Sequence, residues 1–144
     1  MINNDTIELL KECNAGVKMG VTSIEEVLEN VQSNEFKKTL TQNMEEHQRI
    51  GSEIHTLLNE YGEEGKEPSP MAKGMSWLKT NVMLSVNESD NTAADLITGG
   101  CNMGVKSLNR YLNKYAAADK KSKDITKKLI NLEHQLSIDI RPYL

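Results

Sequence analysis

Apolar residues in this chain recur at every third or fourth position and do not alternate with polar ones, a spacing that predicts helix throughout and no strand. In the first segment Ile7, Leu10, Asn14, Val17, Val21, Ile24 and Leu28 fall on one helical face, with Asn4 or Asp5 placed to cap its start. After a break across 30–34, the spacing resumes through Phe36, Leu40, Met44, His47, Ile50, Ile54 and Leu57 or Leu58. The stretch "YGEEGKEPSP" then stops it with two glycines and two prolines. Two long helices with so short a break between them predict an antiparallel hairpin.

A shorter stripe follows, through Met71, Met75, Leu78, Val82 and Val86, and it carries the single tryptophan, Trp77, with Met83 nearby. "NESDNT" supplies caps for a third long helix through Ala94, Ile97, Cys101, Val105, Leu108, Leu112 and Tyr115. A turn at "AAADKKS" leads to the fourth, through Ile125, Leu129, Leu132, Leu136 and Ile140, and Pro142 closes the helical stretch. The hexapeptide Cys-Asn-x-Gly-Val-Lys occurs at 13–18 and again at 101–106, at matching places in the first and third long helices. The repeat marks a duplicated fold: a hairpin at 1–62, a crossover with its short helix at 63–90, and a second hairpin at 91–144. A long crossover between hairpins sets the second and third helices parallel, so the expected class is an all-α four-helix bundle.

In "LLKECNAGVKMG", "CNMGVKSL" and "EPSPMAKGMSWL" the chain resembles the ferritin-like four-helix bundles, and within that superfamily a bacterial branch lacking the usual di-iron ligand set. The likeness runs over nearly the whole chain. It implies a bundle whose di-iron relatives carry one Glu on each of two helices and Glu-x-x-His on each of the other two. Carried over by position, Met44-Glu45-Glu46-His47 keeps the histidine but has Met at the ligand position, and Asn131-Leu132-Glu133-His134 has Asn there. The stripes around Asn14 and Val17, and around Asn102 and Val105, offer no carboxylate. The reading that follows is a ferritin-like protein without cofactor or di-iron centre, acting as a non-catalytic, homo-oligomeric binding or structural module, most simply a dimer. The alternative is an iron-handling or oxidoreductase protein with an atypical metal site around His47 and His134, aided by Glu46 and Glu133. Neighbours on a helix point about 100° apart, so Glu46 and His47 do not both face the interior, and the Leu132/Leu136 stripe leaves His134 to one side. His47 alone then reads as a hydrogen-bonded core or boundary residue.

Glycines at Gly16, Gly20, Gly100 and Gly104 each cost a helix about 1 kcal/mol relative to alanine, so something offsets them. Close helix approach is the first explanation, and a gap admitting a ligand or a partner's side chain the second. Asn14 and Asn102 need partners if buried, and bonding to each other or to backbone would fix register. Lys18 and Lys106 read as snorkelling surface groups, with an anion clamp as the sharper alternative. Cys13 and Cys101 lie well inside helices, away from the N-termini that activate thiols, so small structural residues are expected rather than a redox sensor. Whether they approach each other is left open.

Composition narrows the function classes further. The chain of 144 residues fits one domain, and a net charge of −4 gives no footprint for nucleic acid. Lys120, Lys121, Lys123, Lys127 and Lys128 are interrupted by Asp119 and Asp124 and read as a solvated helix face. No apolar run reaches the roughly 18 residues that suggest a membrane helix, and "MINNDTIELL" lacks the positive start of a signal peptide, so the expectation is a cytosolic protein with no membrane partner. Nothing in the chain matches a Ser-His-Asp constellation, a phosphate-binding glycine loop or a zinc cysteine set.

Overall fold

The computed structural model describes residues 3–63 and 89–144, so the expected crossover helix with Met71, Met75, Trp77 and Met83 lies outside the described residues. Four helices make up the described chain: α1 (Asn4–Leu28), α2 (Asn34–Glu60), α3 (Asp90–Lys114) and α4 (Lys120–Asp139), followed by a short 3-10 turn at Arg141–Tyr143. Each helix starts on a side chain that accepts a hydrogen bond from the backbone N–H three residues on: Asn3 from Thr6, Ser33 from Phe36, Ser89 from Thr92 and Asp119 from Ser122. The first cap is therefore Asn3 rather than Asn4 or Asp5. α2 ends at Gly62, whose φ of 75° is the left-handed conformation that glycine adopts without a Cβ clash. There the Glu63 N–H donates to the Leu58 carbonyl at 2.9 Å and the Gly62 N–H to Asn59 at 3.0 Å, which satisfies the orphan carbonyls of the last turn.

Two polar clasps set the helix directions. At one end the Asn3 side chain donates to the Ala117 carbonyl at 2.8 Å, and the Asp119 N–H donates to Thr6 Oγ1 at 2.8 Å. Asp5 accepts from the Ala117 N–H there, so the start of α1 lies against the α3–α4 turn. At the other end the Asp90 carboxylate accepts from the backbone N–H of Gln32 at 2.7 Å and of Ser33 at 3.0 Å, joining the start of α3 to the α1–α2 turn. α1 is thus antiparallel to both α2 and α3, α2 is parallel to α3, and α4 returns antiparallel to α3. The strongest packing is α1 on α2 and α3 on α4, with α1 also against α3 and α2 against α4. These are the two hairpins of a four-helix bundle.

The core divides along the bundle axis. Leu9, Leu10, Cys13, Val17, Ile50, Ile54, Leu57, Leu58, Leu108, Ile125 and Leu129 form one apolar cluster. Ile24, Val27, Phe36, Leu40, Ala94, Ile97, Cys101, Leu136 and Ile140 form the other, which Tyr143 closes by stacking on Phe36 at 4.3 Å between ring centroids. On every helix the same kind of gap separates them: Gly20 falls between Val17 and Ile24, His47 between Leu40 and Ile50, Gly104 between Cys101 and Leu108, and Glu133 between Leu129 and Leu136. A polar layer therefore crosses the bundle at mid-height.

Several expected faces shift. Val21, Leu28 and Leu132 are only half-buried, and on α4 Glu133 takes the interior place that the spacing gave to Leu132. Asn14 is buried while its repeat partner Asn102 is exposed, so the two do not bond each other. Identical hexapeptides meet different neighbours here, because α1 is buried on every side from Glu12 to Val17 whereas α3 keeps a solvated face.

Gly99 is exposed within α3, and a Cβ there would meet no atom of the described residues within 4 Å. Gly99→Ala should raise the unfolding free energy by about 0.5–1 kcal/mol in urea titrations, since it removes backbone freedom from the unfolded chain at no steric cost. Gly104→Ala should lower it by about 1–3 kcal/mol through overpacking, because its methyl would overlap Oε2 of Glu133.

Candidate functional site

The mid-height layer holds one histidine and one glutamate. His47, from the middle of α2, is 1% exposed, and Glu133, two turns before the end of α4, is 7% exposed. Nδ1 of His47 lies 3.0 Å from the Asn43 carbonyl oxygen, an atom that only accepts, so Nδ1 carries a proton and donates it. In the neutral ring Nε2 is then the bare acceptor. It faces Oε1 of Glu133 at 3.8 Å, a distance for an ion pair but too long for a direct hydrogen bond. Nε2 of His47 and Oε2 of Glu133 are both buried and have no hydrogen-bond partner among the described residues.

Two glycines seat this pair. A methyl on Gly20 would stand 2.7 Å from Cδ2 and Nε2 of His47, and one on Gly104 would stand 2.8 Å from the Glu133 Cδ. The glycines of α1 and α3 thus receive side chains from α2 and α4, a more specific use than the helix-on-helix approach expected for them. Beside the pair is a cavity of about 30 Å³, bounded by Met19, Ser23 and Ile24 of α1, by Ile97 and Cys101 of α3, and by Leu136. Gly100 also borders it, with no atom of the described residues within 4 Å of where its Cβ would be.

Of the sequence candidates, His47 and Glu133 are brought together and the other two are not. Glu46 points outward and pairs with Arg49, and His134 is exposed on the outer face of α4. The angular argument against an adjacent Glu-His pair therefore holds on both helices, and of the four candidates grouped as an atypical site the structure pairs only His47 with Glu133. The signal for it was present: Glu133 stands four residues after Leu129 and three before Leu136, the spacing of an interior position. Glu12 was also missed, a buried carboxylate on the first helix where none was expected. It accepts a hydrogen bond from Tyr111. It belongs to another level of the bundle, eight residues or about 12 Å along α1 from Gly20.

A di-iron centre of the kind the ferritin likeness implies does not fit these residues. Met44 is packed against the apolar cluster where α2 would need a carboxylate, and Asn131 is exposed on α4. Among the described residues no three His, Cys, Asp or Glu side chains form a group able to hold a metal ion. One imidazole and one carboxylate leave most of a metal's coordination positions unfilled.

Burial sets the electrostatics. It pushes the Glu133 carboxyl above its ordinary value of 4.5, and the pull of the neighbouring imidazole in the other direction is smaller. Glu12 is raised for the same reason, partly offset by the Tyr111 hydrogen bond. Both thiols are suppressed: burial pushes Cys13 up to about 12, and burial aided by the Glu133 charge pushes Cys101 up as well. Thr126 Oγ1 already donates to the Ser122 carbonyl at 2.8 Å, so the Cys13 S–H is the donor in its 3.1 Å contact with Thr126. The cysteines are free and belong to opposite apolar clusters. Lys18 and Lys106 are both exposed. The fold and site together define an all-α four-helix bundle with a buried His–Glu layer, in which no helix among the described residues is long and apolar enough to cross a membrane. Neither a family model nor a curated protein matches the sequence.

Two outcomes follow. In the folded protein Cys13 and Cys101 should resist thiol-modifying reagents at about pH 8 and react only as fast as the chain unfolds, as read by mass spectrometry with and without urea. A carboxyl raised in the folded state stabilises fully below its unfolded value of 4.5, and this contribution is lost as pH rises through the folded value. Wild type should therefore lose stability relative to Glu133→Gln as pH rises above 4.5, measured by denaturant titration at each pH.

Proposed function

We propose that this chain is a ferritin-like bundle serving as a non-catalytic, homo-oligomeric binding or structural module, with a buried His–Glu layer in the place where di-iron relatives hold metal. The observation carrying this reading is the composition of the mid-height layer: one imidazole and one carboxylate, each seated on a glycine, with the remaining candidates turned to solvent. The parallel run of α2 and α3 supports the ferritin-like assignment. Met103 and Leu144 are the only exposed large apolar side chains among the described residues, which favours a largely polar contact between copies. Iron handling is the second reading, and the inward-facing Nε2 of His47 and Oε2 of Glu133 are what favour it.

Elemental analysis of untagged protein, before and after anaerobic exposure to ferrous iron and with light scattering on the same samples, separates the two. We expect metal far below one equivalent per chain in wild type and in His47→Ala, and a mass above that of the monomer. Near-stoichiometric iron that falls in His47→Ala would overturn the non-catalytic reading, and a monomer at all concentrations would overturn the oligomer.

A further inference from the structure

The cavity beside His47 and Glu133 is too small for an organic ligand, and within a mostly apolar lining it carries the buried polar atoms of this pair. A benzene-sized guest occupies a cavity of roughly 150 Å³, whereas a water needs about 10–15 Å³ on a comparable scale. The 30 Å³ found here is the size of one or two waters. An apolar void of this size stays dry, but a polar site with two or more hydrogen-bonding partners holds its water. Nε2 of His47 and Oε2 of Glu133 are those partners, both on side chains more than nine-tenths buried, both without a hydrogen-bond partner among the described residues, and both on residues that line the cavity. The Asn43 carbonyl adds direction, because by holding the Nδ1 proton it makes Nε2 the acceptor.

We propose that this cavity is a binding site for one water molecule, which links Nε2 of His47 to Oε2 of Glu133 so that the pair holds a single proton between them. The proton balance is simple. When Glu133 gives its O–H proton to the water, the water gives one of its own to Nε2, and a neutral acid facing a neutral imidazole becomes a carboxylate facing an imidazolium. The water is regenerated and the pair stays neutral overall, the only charge state that costs little at this depth. Other titratable groups near the pair are the thiols of Cys101 on α3 and Cys13 on α1, both held protonated by burial. Met19, Gly20, Ser23 and Ile24, the α1 residues at the cavity, contribute no titratable group.

This inference does not depend on what the module binds, and it is tested on chelator-treated full-length protein so that metal plays no part. In water-selective NOE and ROE spectra the His47 ring protons should show a cross-peak to water of the sign that marks a long-lived bound molecule. The cross-peak should persist in Ser23→Ala, which removes the nearby hydroxyl as a source of exchange. It should persist in Glu133→Gln, which keeps two hydrogen-bonding atoms, and vanish in Glu133→Met, which keeps the length but not the polarity. No cross-peak in wild type, or its survival in Glu133→Met, would overturn the proposal. If Glu133→Met does not fold, the wild-type cross-peak and its persistence in Glu133→Gln still decide it. Metal content is read separately, so failure here and failure of the proposed function are told apart.

Discussion

A histidine and a glutamate facing each other at mid-height of a helical bundle impose conditions on every helix around them. Each needs room, which Gly20 and Gly104 provide, because a methyl at either position would collide with the side chain opposite. Each is desolvated, and an isolated charge at that depth costs several kcal/mol after relaxation, so the pair must remain neutral as a unit. Buried ion pairs are commonly replaceable by apolar residues with no loss of stability. Burial energy alone therefore does not account for this layer, and the glycines that accommodate it add their own cost in helix propensity.

The layer also organises the core into two parts. Apolar packing on either side is continuous within a cluster and interrupted between them, and both clusters draw on all four helices. Slipping any helix by one turn would set an apolar side chain against His47 or Glu133, or push one of these into an apolar cluster. The clasps at the bundle ends act in the same sense: Asp90 gathers the α1–α2 turn, while Asn3, Asp5 and Thr6 gather the α3–α4 turn. Register is thus specified by polar groups at three heights, and the apolar clusters supply most of the burial between them.

Much of this bundle was legible in the chain. The helices, their ends and the two hairpins follow from a three-to-four spacing and from Ser, Asp and Gly punctuation, because helix amphipathicity and capping are local properties that a sequence window contains. The outward position of Glu46 beside an inward His47 was legible for the same reason. Less of the site could be read. Leu132 and Glu133 are adjacent and both lie near the interior arc, and choosing the leucine seemed natural because the cost of burying a glutamate is visible while its partner on α2 is not. Gly20 and Gly104 announced a need for space without saying what fills it. The repeated hexapeptide was read as marking a duplicated fold, and within it Asn14 is buried while Asn102 is exposed.

By itself the sequence determined what each segment becomes: four amphipathic helices with defined starts, paired as hairpins. Tertiary structure alone decided which polar residues meet. His47 and Glu133 are 86 positions apart in the chain, and their contact depends on the rotation of α2 against α4 and on two glycines supplied by other helices. A helix period fixes the face on which a residue lies, but the packing of all four helices fixes what stands opposite.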